Sequence, residues 1–357
     1  MEYSMETLCL MWLSAAGEMT AKGREALLER FGSAENAFSK FSEKVKPLIG
    51  PKAYETLKKA REDGLLAIPR ALIGFDAAVL TQKSPSYPGR LQPLDNPPGV
   101  LYVQGKLPDG PAVAVVGSRH DTRYGRETAF KIARGLSSAG VTVVSGLARG
   151  IDTAAHRGAL AGGGKTVAVL GGGFNDVYPP ENRDLARQIV LDGGALVTEY
   201  PPDAAPLPYH FPLRNRIISG LSDGVLLIEA TLKSGTMSTV NHALSQGKPV
   251  FALPGNVDAP GSELPLKLLR EGANLCTCAA DILDALGIPA RETEKSAGNE
   301  AASEDDPILS ALFGEEKTFE ELLGETGLSP GDLSARLSLL ELDGRIEKRA
   351  GRAYARA

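Results

Sequence analysis

Cysteine is scarce in this chain: Cys9, Cys276 and Cys278 are the only three in 357 residues. Three thiols cannot build a disulfide framework, and Cys276-Thr277-Cys278 lacks the further ligands of a structural zinc site. A reduced, cytoplasmic compartment is the expectation. Histidine is also sparse, and His120, His156, His210 and His242 show no metal-ligand spacing. No metal and no other cofactor is expected. No Gly-x-Ser-x-Gly elbow follows a strand-like run, and no cysteine has a suitably spaced partner, so no catalytic nucleophile is found. The apolar run Leu8–Ala16 follows Glu2 and Glu6 rather than basic residues and is too short to span a bilayer. It reads as a buried helix, with no membrane segment.

An excess of positive charge is missing as well. The net charge of −5 argues at face value against a polyanionic partner, but its distribution changes the reading. Residues 1–110 carry 14 basic and 13 acidic side chains, and residues 111–286 carry 16 of each. Residues 290–306 hold 2 basic against 6 acidic side chains, and residues 307–357 hold 7 against 9. Most of the acidity therefore lies in a short segment without apolar spacing, and a polyanion site in the neutral centre must be a local patch.

What is present in quantity is glycine, 40 residues, and proline, 24, dispersed between apolar runs as in a turn-rich globular protein. Residues 1–65 show helical apolar spacing broken by turn signals and read as a small all-helical domain. Residues 66–110 are proline-rich and mostly extended, ending in Leu101-Tyr102-Val103. Strand-length apolar runs then recur at Ala112–Val116, Val141–Val144, Thr166–Leu170, Ala195–Thr198, Val225–Ile228 and Val250–Leu253. Helical stretches separate them. Continuous β-branched runs alternating with helices predict an α/β domain over residues 66–288, a doubly wound Rossmann-like and mostly parallel sheet covered on both faces. Residues 289–306 read as a solvated acidic linker. Residues 307–357 predict three short helices, with Ser329 or Asp332 as N-cap, and a hairpin of Arg345–Lys348 and Ala353–Ala355 turning at Gly351. That is a winged-helix pattern.

In a doubly wound sheet the loops after the strands share one edge, where ligands bind. Here they carry Gly117-Ser118-Arg119, then Ser145-Gly146 through Arg149, Gly150 and Asp152, then Gly171-Gly172-Gly173 with Tyr178-Pro179, Glu199-Tyr200-Pro201, Glu229-Ala230 with Ser234-Gly235-Thr236, and Pro254-Gly255. Small residues let backbone amides approach a phosphate, and arginines add paired charge. Each has a plainer role open to it: a connector glycine, a surface ion pair, or, for Asp152 and His156, a structural hydrogen-bonding pair on one helix face. Glu229 is expected to orient an arginine or a backbone N–H.

The stretch His210-Phe211-Pro212-Leu213-Arg214-Asn215-Arg216 is the most informative. It reads as a loop turning into a helix with Arg214 and Arg216 in the first turn, where the helix dipole disfavours cations unless an anion offsets them. Two guanidinium groups, an amide and a phenyl ring at a helix start suit a phosphate chain bearing flat bases. Two other motifs fail. Gly162-Gly163-Gly164-Lys165-Thr166 mimics the end of a P-loop but leads into a strand, and the dinucleotide fingerprint is replaced by Gly117-Ser118-Arg119.

In this order and spacing, Gly117-Ser118-Arg119 with Tyr124-Gly125, Ser145 to Asp152 with His156, Tyr178-Pro179, Phe211 to Arg216, Ser234-Gly235 and Pro254-Gly255 resemble the DNA-processing protein A family over about residues 80–286. The resemblance implies a bacterial cytoplasmic protein that binds single-stranded DNA, dimerises through its Rossmann-like domain, and loads the recombinase RecA onto incoming strands in natural transformation. It implies a sterile-alpha-motif-like helical N-terminus. Carried over by position, Arg119, Arg214 and Arg216 become phosphate contacts and Phe211 a base-stacking residue. Ser145-Gly146 and Ser234-Gly235-Thr236 become amide donors, with Ser118, Arg149, His210 and Asn215 in the same set. Pro208 and Glu263 depart from the family pattern. Two other classes stay open. A phosphoribohydrolase-like nucleotide enzyme lacks its carboxylate, since residues 238–243 contain none. A transcriptional regulator would have to read a groove with a helix, Pro330–Leu342, that offers Arg336 beside Asp332 and Glu341.

Overall fold

The computed structural model describes residues 3–289, 307–312, 316–342, 345–348 and 353–356. Residues 290–306 of the expected linker, and the expected turn at Gly351, lie outside the described residues. The chain divides into two compact units, Met1–Thr293 and Glu294–Ala357.

The first unit opens with helices α1 (Met5–Ser14), α2 (Ala21–Phe31), α3 (Ala34–Ser39), α4 (Lys46–Ile49), α5 (Pro51–Asp63) and α6 (Ala67–Ala71). Ser4, Thr20 and Ser33 cap the first three, each side chain accepting from a backbone N–H three residues on. Trp12 anchors their core, meeting Phe38 and Phe41 edge-on at 5.0 and 5.1 Å and donating Nε1–H to the Leu57 carbonyl at 2.8 Å. This region is all-helical as expected. It falls in the same compact unit as the sheet. α1 reaches the sheet layer through Met11, which is buried in a cluster with Tyr102, Leu147 and Leu196.

Nine strands form one sheet in the order β1-β2-β6-β5-β4-β3-β7-β8-β9. They are β1 (Ala77–Thr81), β2 (Val100–Gly105), β3 (Ala112–Val116), β4 (Thr142–Ser145), β5 (Thr166–Val169), β6 (Ala195–Thr198), β7 (Gly224–Leu227), β8 (Val250–Ala252) and β9 (Asn274–Leu275). β1 and β2 pair antiparallel, as do β2 and β6; every other pairing is parallel. Along β3, Ala112, Ala114 and Val116 enter one apolar cluster while Val113 and Val115 enter the other. Burial on both faces is what makes the run continuously apolar. Helices α7 (Arg123–Ser138), α8 (Ile151–Ala161), α9 (Arg183–Leu191), α10 (His210–Gly220), α11 (Thr236–Ser245), α12 (Glu263–Arg270) and α13 (Ala279–Ala285) complete the layers. From β3 the chain winds outward to β6, then restarts on the other side with β7. The junction of β3 and β7 is therefore the topological switch point. Lys165 does lead into β5, so the P-loop mimic opens no helix.

The second unit contains α14 (Pro307–Ala311), β10 (Lys317–Thr318), α15 (Phe319–Thr326), α16 (Pro330–Leu342), β11 (Ile346–Lys348) and β12 (Ala353–Arg356). Its core gathers Ile308, Leu312, Leu322, Leu333, Leu337 and Ile346. The Ser329 hydroxyl accepts from the Asp332 N–H and starts α16. β11 and β12 form the expected hairpin pair, and β10 adds a third antiparallel strand. Among the described residues no helix is long and apolar enough to cross a membrane, and no cluster of His, Cys, Asp or Glu could hold a metal ion.

Candidate nucleic-acid interface

The loop after β3 is held by one carboxylate. Glu229, at the tip of β7, accepts from the Thr122 N–H at 2.9 Å and the Thr122 hydroxyl at 2.5 Å. Thr122 in turn caps α7 through the Gly125 N–H at 3.1 Å. Glycine at 125 leaves room for this carboxylate: an added Cβ would lie 2.3 Å from the Glu229 carboxyl carbon and would displace it from Thr122. Glu229 thus orients a backbone N–H, and the loop presents Arg119 to solvent.

α10 begins earlier than its sequence suggests. His210, Phe211 and Pro212 form its first turn, which corrects the expectation of a loop followed by first-turn arginines. Proline is tolerated there because the first N–H groups of a helix have no intrahelical partner. Arg214 and Arg216 consequently sit in the second turn, and both are buried. Arg214 donates to the carbonyls of Gly146, at 2.9 Å, and Val169, tying α10 to the tips of β4 and β5. Burial draws its pKa down to about 10, opposed by the charge of Asp152. Burial pushes the Asp152 carboxyl up, against Arg214 and the N–H groups of Ala148 and Gly146, which donate to it at 3.3 and 3.0 Å. Arg216 points elsewhere, meeting both oxygens of Glu199 at 2.5 and 2.6 Å and the Asn96 carbonyl at 2.8 Å.

Several expected contacts are therefore corrected, among them the Ser234 and Thr236 amides, which donate to the Thr231 carbonyl at 3.0 Å and the Ser234 hydroxyl at 3.2 Å. Arg216 is a buried carboxylate partner near the N-terminal helices. Ser145 is fully buried, with its hydroxyl donating to Val115, and the Gly146 amide is taken by Asp152. His210 is buried, its ring stacked on Tyr200 at 3.9 Å. Asp152 and His156 are not bonded to each other either: His156 Nδ1 meets the Thr166 hydroxyl at 2.7 Å, because the helix turns its ring toward β5.

The remaining residues surround a cleft of about 900 Å³ at the switch point, lined by Ser118, Arg119, Phe211, Asn215, Ser234 and Thr236 among others, with buried Arg214 at its base. Gly235 lies on the same rim. The Phe211 ring lies 5.2 Å from the Arg119 guanidinium carbon and 5.9 Å from that of Arg214. Tyr178 tilts against Phe211 at 5.7 Å, and Arg149 stands 5.7 Å over Tyr178 while paired with Glu181. Two half-open rings flanked by two solvent-reaching guanidinium groups form a stacking surface with charge on its rim. Thr122 was not singled out from the sequence; Tyr178 was placed at the strand tips but not among the expected DNA contacts, and Glu229 takes the orienting role expected of it. The position of Tyr178 just after the third strand tip was the signal for it.

The sequence profile of the family "DNA recombination-mediator protein A" matches residues 78–287, and that of the "DprA winged helix domain" matches residues 292–352. The chain is 40% identical over 309 residues to Protein Smf of Escherichia coli, covering 82% of each. It is 37% identical over 239 residues to DNA processing protein DprA of Bacillus subtilis, covering 66% of this chain and 76% of that one. The crystal structure of DNA processing protein A from Streptococcus pneumoniae is similar at a TM-score of 0.65 and 31% identity, over 80% of this chain and 98% of that one. DNA processing protein A from Helicobacter pylori, whose structure is described for its single-stranded DNA binding mode, matches at a TM-score of 0.53 and 30% identity, over 60% of this chain and 96% of that one.

Proposed function

This chain belongs to the DNA recombination-mediator protein A family, and from that premise we propose that it binds single-stranded DNA in the strand-tip cleft and acts as a mediator rather than an enzyme. The observation that carries the reading is the row Arg119, Phe211 and Tyr178 along an open cleft at the switch point, with Arg149, paired to Glu181, over the Tyr178 ring. Phosphates fit the rim cations and bases fit the rings. The binding of single-stranded DNA by the Helicobacter pylori relative supports it. A nucleotide-cleaving enzyme fits less well, because Asp152, the carboxylate lining the cleft, and Glu229, which holds the cleft residue Thr122, are engaged by backbone N–H groups.

In this reading the protein works in the cytoplasm as a homodimer, shields incoming strands and loads RecA onto them during natural transformation. The segments 1–65 and 307–357 serve as auxiliary or protein-contact modules. The test is fluorescence anisotropy with single-stranded and duplex oligonucleotides over a salt series. The wild-type chain should prefer single strands. Arg119→Ala should lower the salt slope by about 0.7, and Phe211→Ala should cost about 1–3 kcal/mol per stacked base. Unchanged affinity and slope in both folded variants would remove the cleft from consideration. RecA assembly on strands coated with single-strand-binding protein, with and without this chain, tests the finer claim.

A further inference from the structure

Charge is unevenly spread over the first unit. Residues 122–165 carry seven Lys and Arg against two acids, Glu127 and Asp152, a local excess of +5 in a chain of net charge −5. Asp152 is buried, so the surface of the α7–α8 layer is more basic still. Arg123 and Arg126 are neutralised by Glu127 and Asp121. Lys131 and Arg157 are exposed and have no carboxylate partner among the described residues.

These two cations share a groove of about 500 Å³ between α7 and α8 with half-buried Phe130, Thr153 and Gly150, and with Arg126 and with Asp121 and Glu127, whose carboxylates are already paired with arginines. A single loop separates that groove from the strand-tip cleft. Ser118, Arg119, His120 and Thr122 face the cleft, whereas Asp121 lines the groove. The partition is kept thin by Gly150, whose φ of 76° and bare Cα bring it against the Ser118 carbonyl, 2.4 Å from where a Cβ would stand.

We propose that a single strand bound in the cleft continues past Gly150 into the α7–α8 groove, where Lys131 and Arg157 meet its phosphates and Phe130 offers a ring to a base. This rests on the reading of the cleft as a single-strand site, and extends it to a second stretch of the same strand. Charge complementarity and direct continuity with the cleft favour a polynucleotide over an acidic protein surface. Because the contacts are to backbone charge, the extension is sequence-independent.

The full chain and its Lys131→Ala/Arg157→Ala variant are compared by anisotropy on oligothymidylates of about 5 and about 16 nucleotides, the two ends of common single-strand site sizes. Both substitutions are at exposed positions, so the fold is preserved. The longer oligonucleotide should lose about 1.4 from its salt slope, equivalent to about 25-fold in relative affinity for each tenfold dilution of salt, while the short one is unchanged. Arg119→Ala should weaken both. Wild-type affinity of the double variant for the long oligonucleotide overturns the track and leaves the basic face to a protein partner or to solvent. Equal weakening of short and long also overturns it, since that is a diffuse field and not a second segment. If the wild-type chain binds neither, the reading of the cleft fails first and the track with it.

Discussion

Arg119 and Arg216 bear the same charge in opposite surroundings. Arg119 is exposed and leans on Phe211. Arg216 and Glu199 have side-chain exposures of 8% and 15% and close a two-point fork. Breaking a buried pair leaves the other charge stranded, so Arg216→Ala should cost about 3–5 kcal/mol in urea unfolding. Arg119→Ala should cost under about 0.5 kcal/mol while lowering the salt slope of DNA binding. The reverse pattern would return Arg216 to the binding surface. The chemistry of this stretch was legible in the sequence, but its direction was misread. Residues two apart on a helix point about 200° from each other, so Arg214 and Arg216 could never have faced one cleft together. His156 gives a second residue-scale expectation. Burial, with some help from Arg214, draws its pKa down to about 3. Below about pH 6.5 the unfolded chain takes up a proton that the folded chain refuses, so stability falls with pH by about 1.4 kcal/mol per unit and is unaffected above that range. His156→Asn removes the titration while keeping a polar partner for Thr166. Its urea stability should therefore fall about 1 kcal/mol less than wild type between about pH 6.5 and 5.5. An identical pH dependence would mean that the folded chain accepts the proton.

At the level of elements, the site depends on the coupling between the β3 loop, α7 and the tip of β7. Glu229 holds Thr122, and Gly125 leaves the space that Glu229 occupies. Gly125→Ala, on the exposed side a favourable helix substitution, should here destabilise by about 1–3 kcal/mol through overpacking. It should also weaken DNA binding, because the loop bearing Arg119 loses its anchor. Stability and anisotropy on the same variant check this, and a neutral or stabilised chain would detach Glu229 from the site. The central parallel strands were legible to within a residue or two, since burial on both faces writes them as unbroken apolar runs. β9 was not, being two exposed residues, Asn274 and Leu275. The start of α10 was hidden by Pro212, which serves as a stop signal inside a helix but is harmless in its first turn.

At the scale of the whole molecule, the helical apolar spacing and turn signals of residues 1–65 read as a small all-helical domain. What the spacing could not reveal is that α1 has two buried sides. Trp12 and Leu13 pack among the helices, whereas Met11 enters the sheet cluster and Ser14 hydrogen-bonds the Tyr102 hydroxyl at 2.8 Å. Arg24 adds a polar tie, donating to Asn96 and the Pro97 carbonyl. Such ties are expected to couple the helices to the sheet in unfolding, and two native thiols can report on it. Cys9 lies in the helical core and Cys276 in the sheet core, both fully buried, with burial pushing their pKa values up to about 11 and about 12. Neither can react until its surroundings open. Pulsed alkylation across a urea series, read by mass spectrometry, should give Cys9 and Cys276 the same midpoint. A Cys9 transition clearly ahead of Cys276 would mean that the helices open alone and that residues 1–65 are, after all, an independent domain.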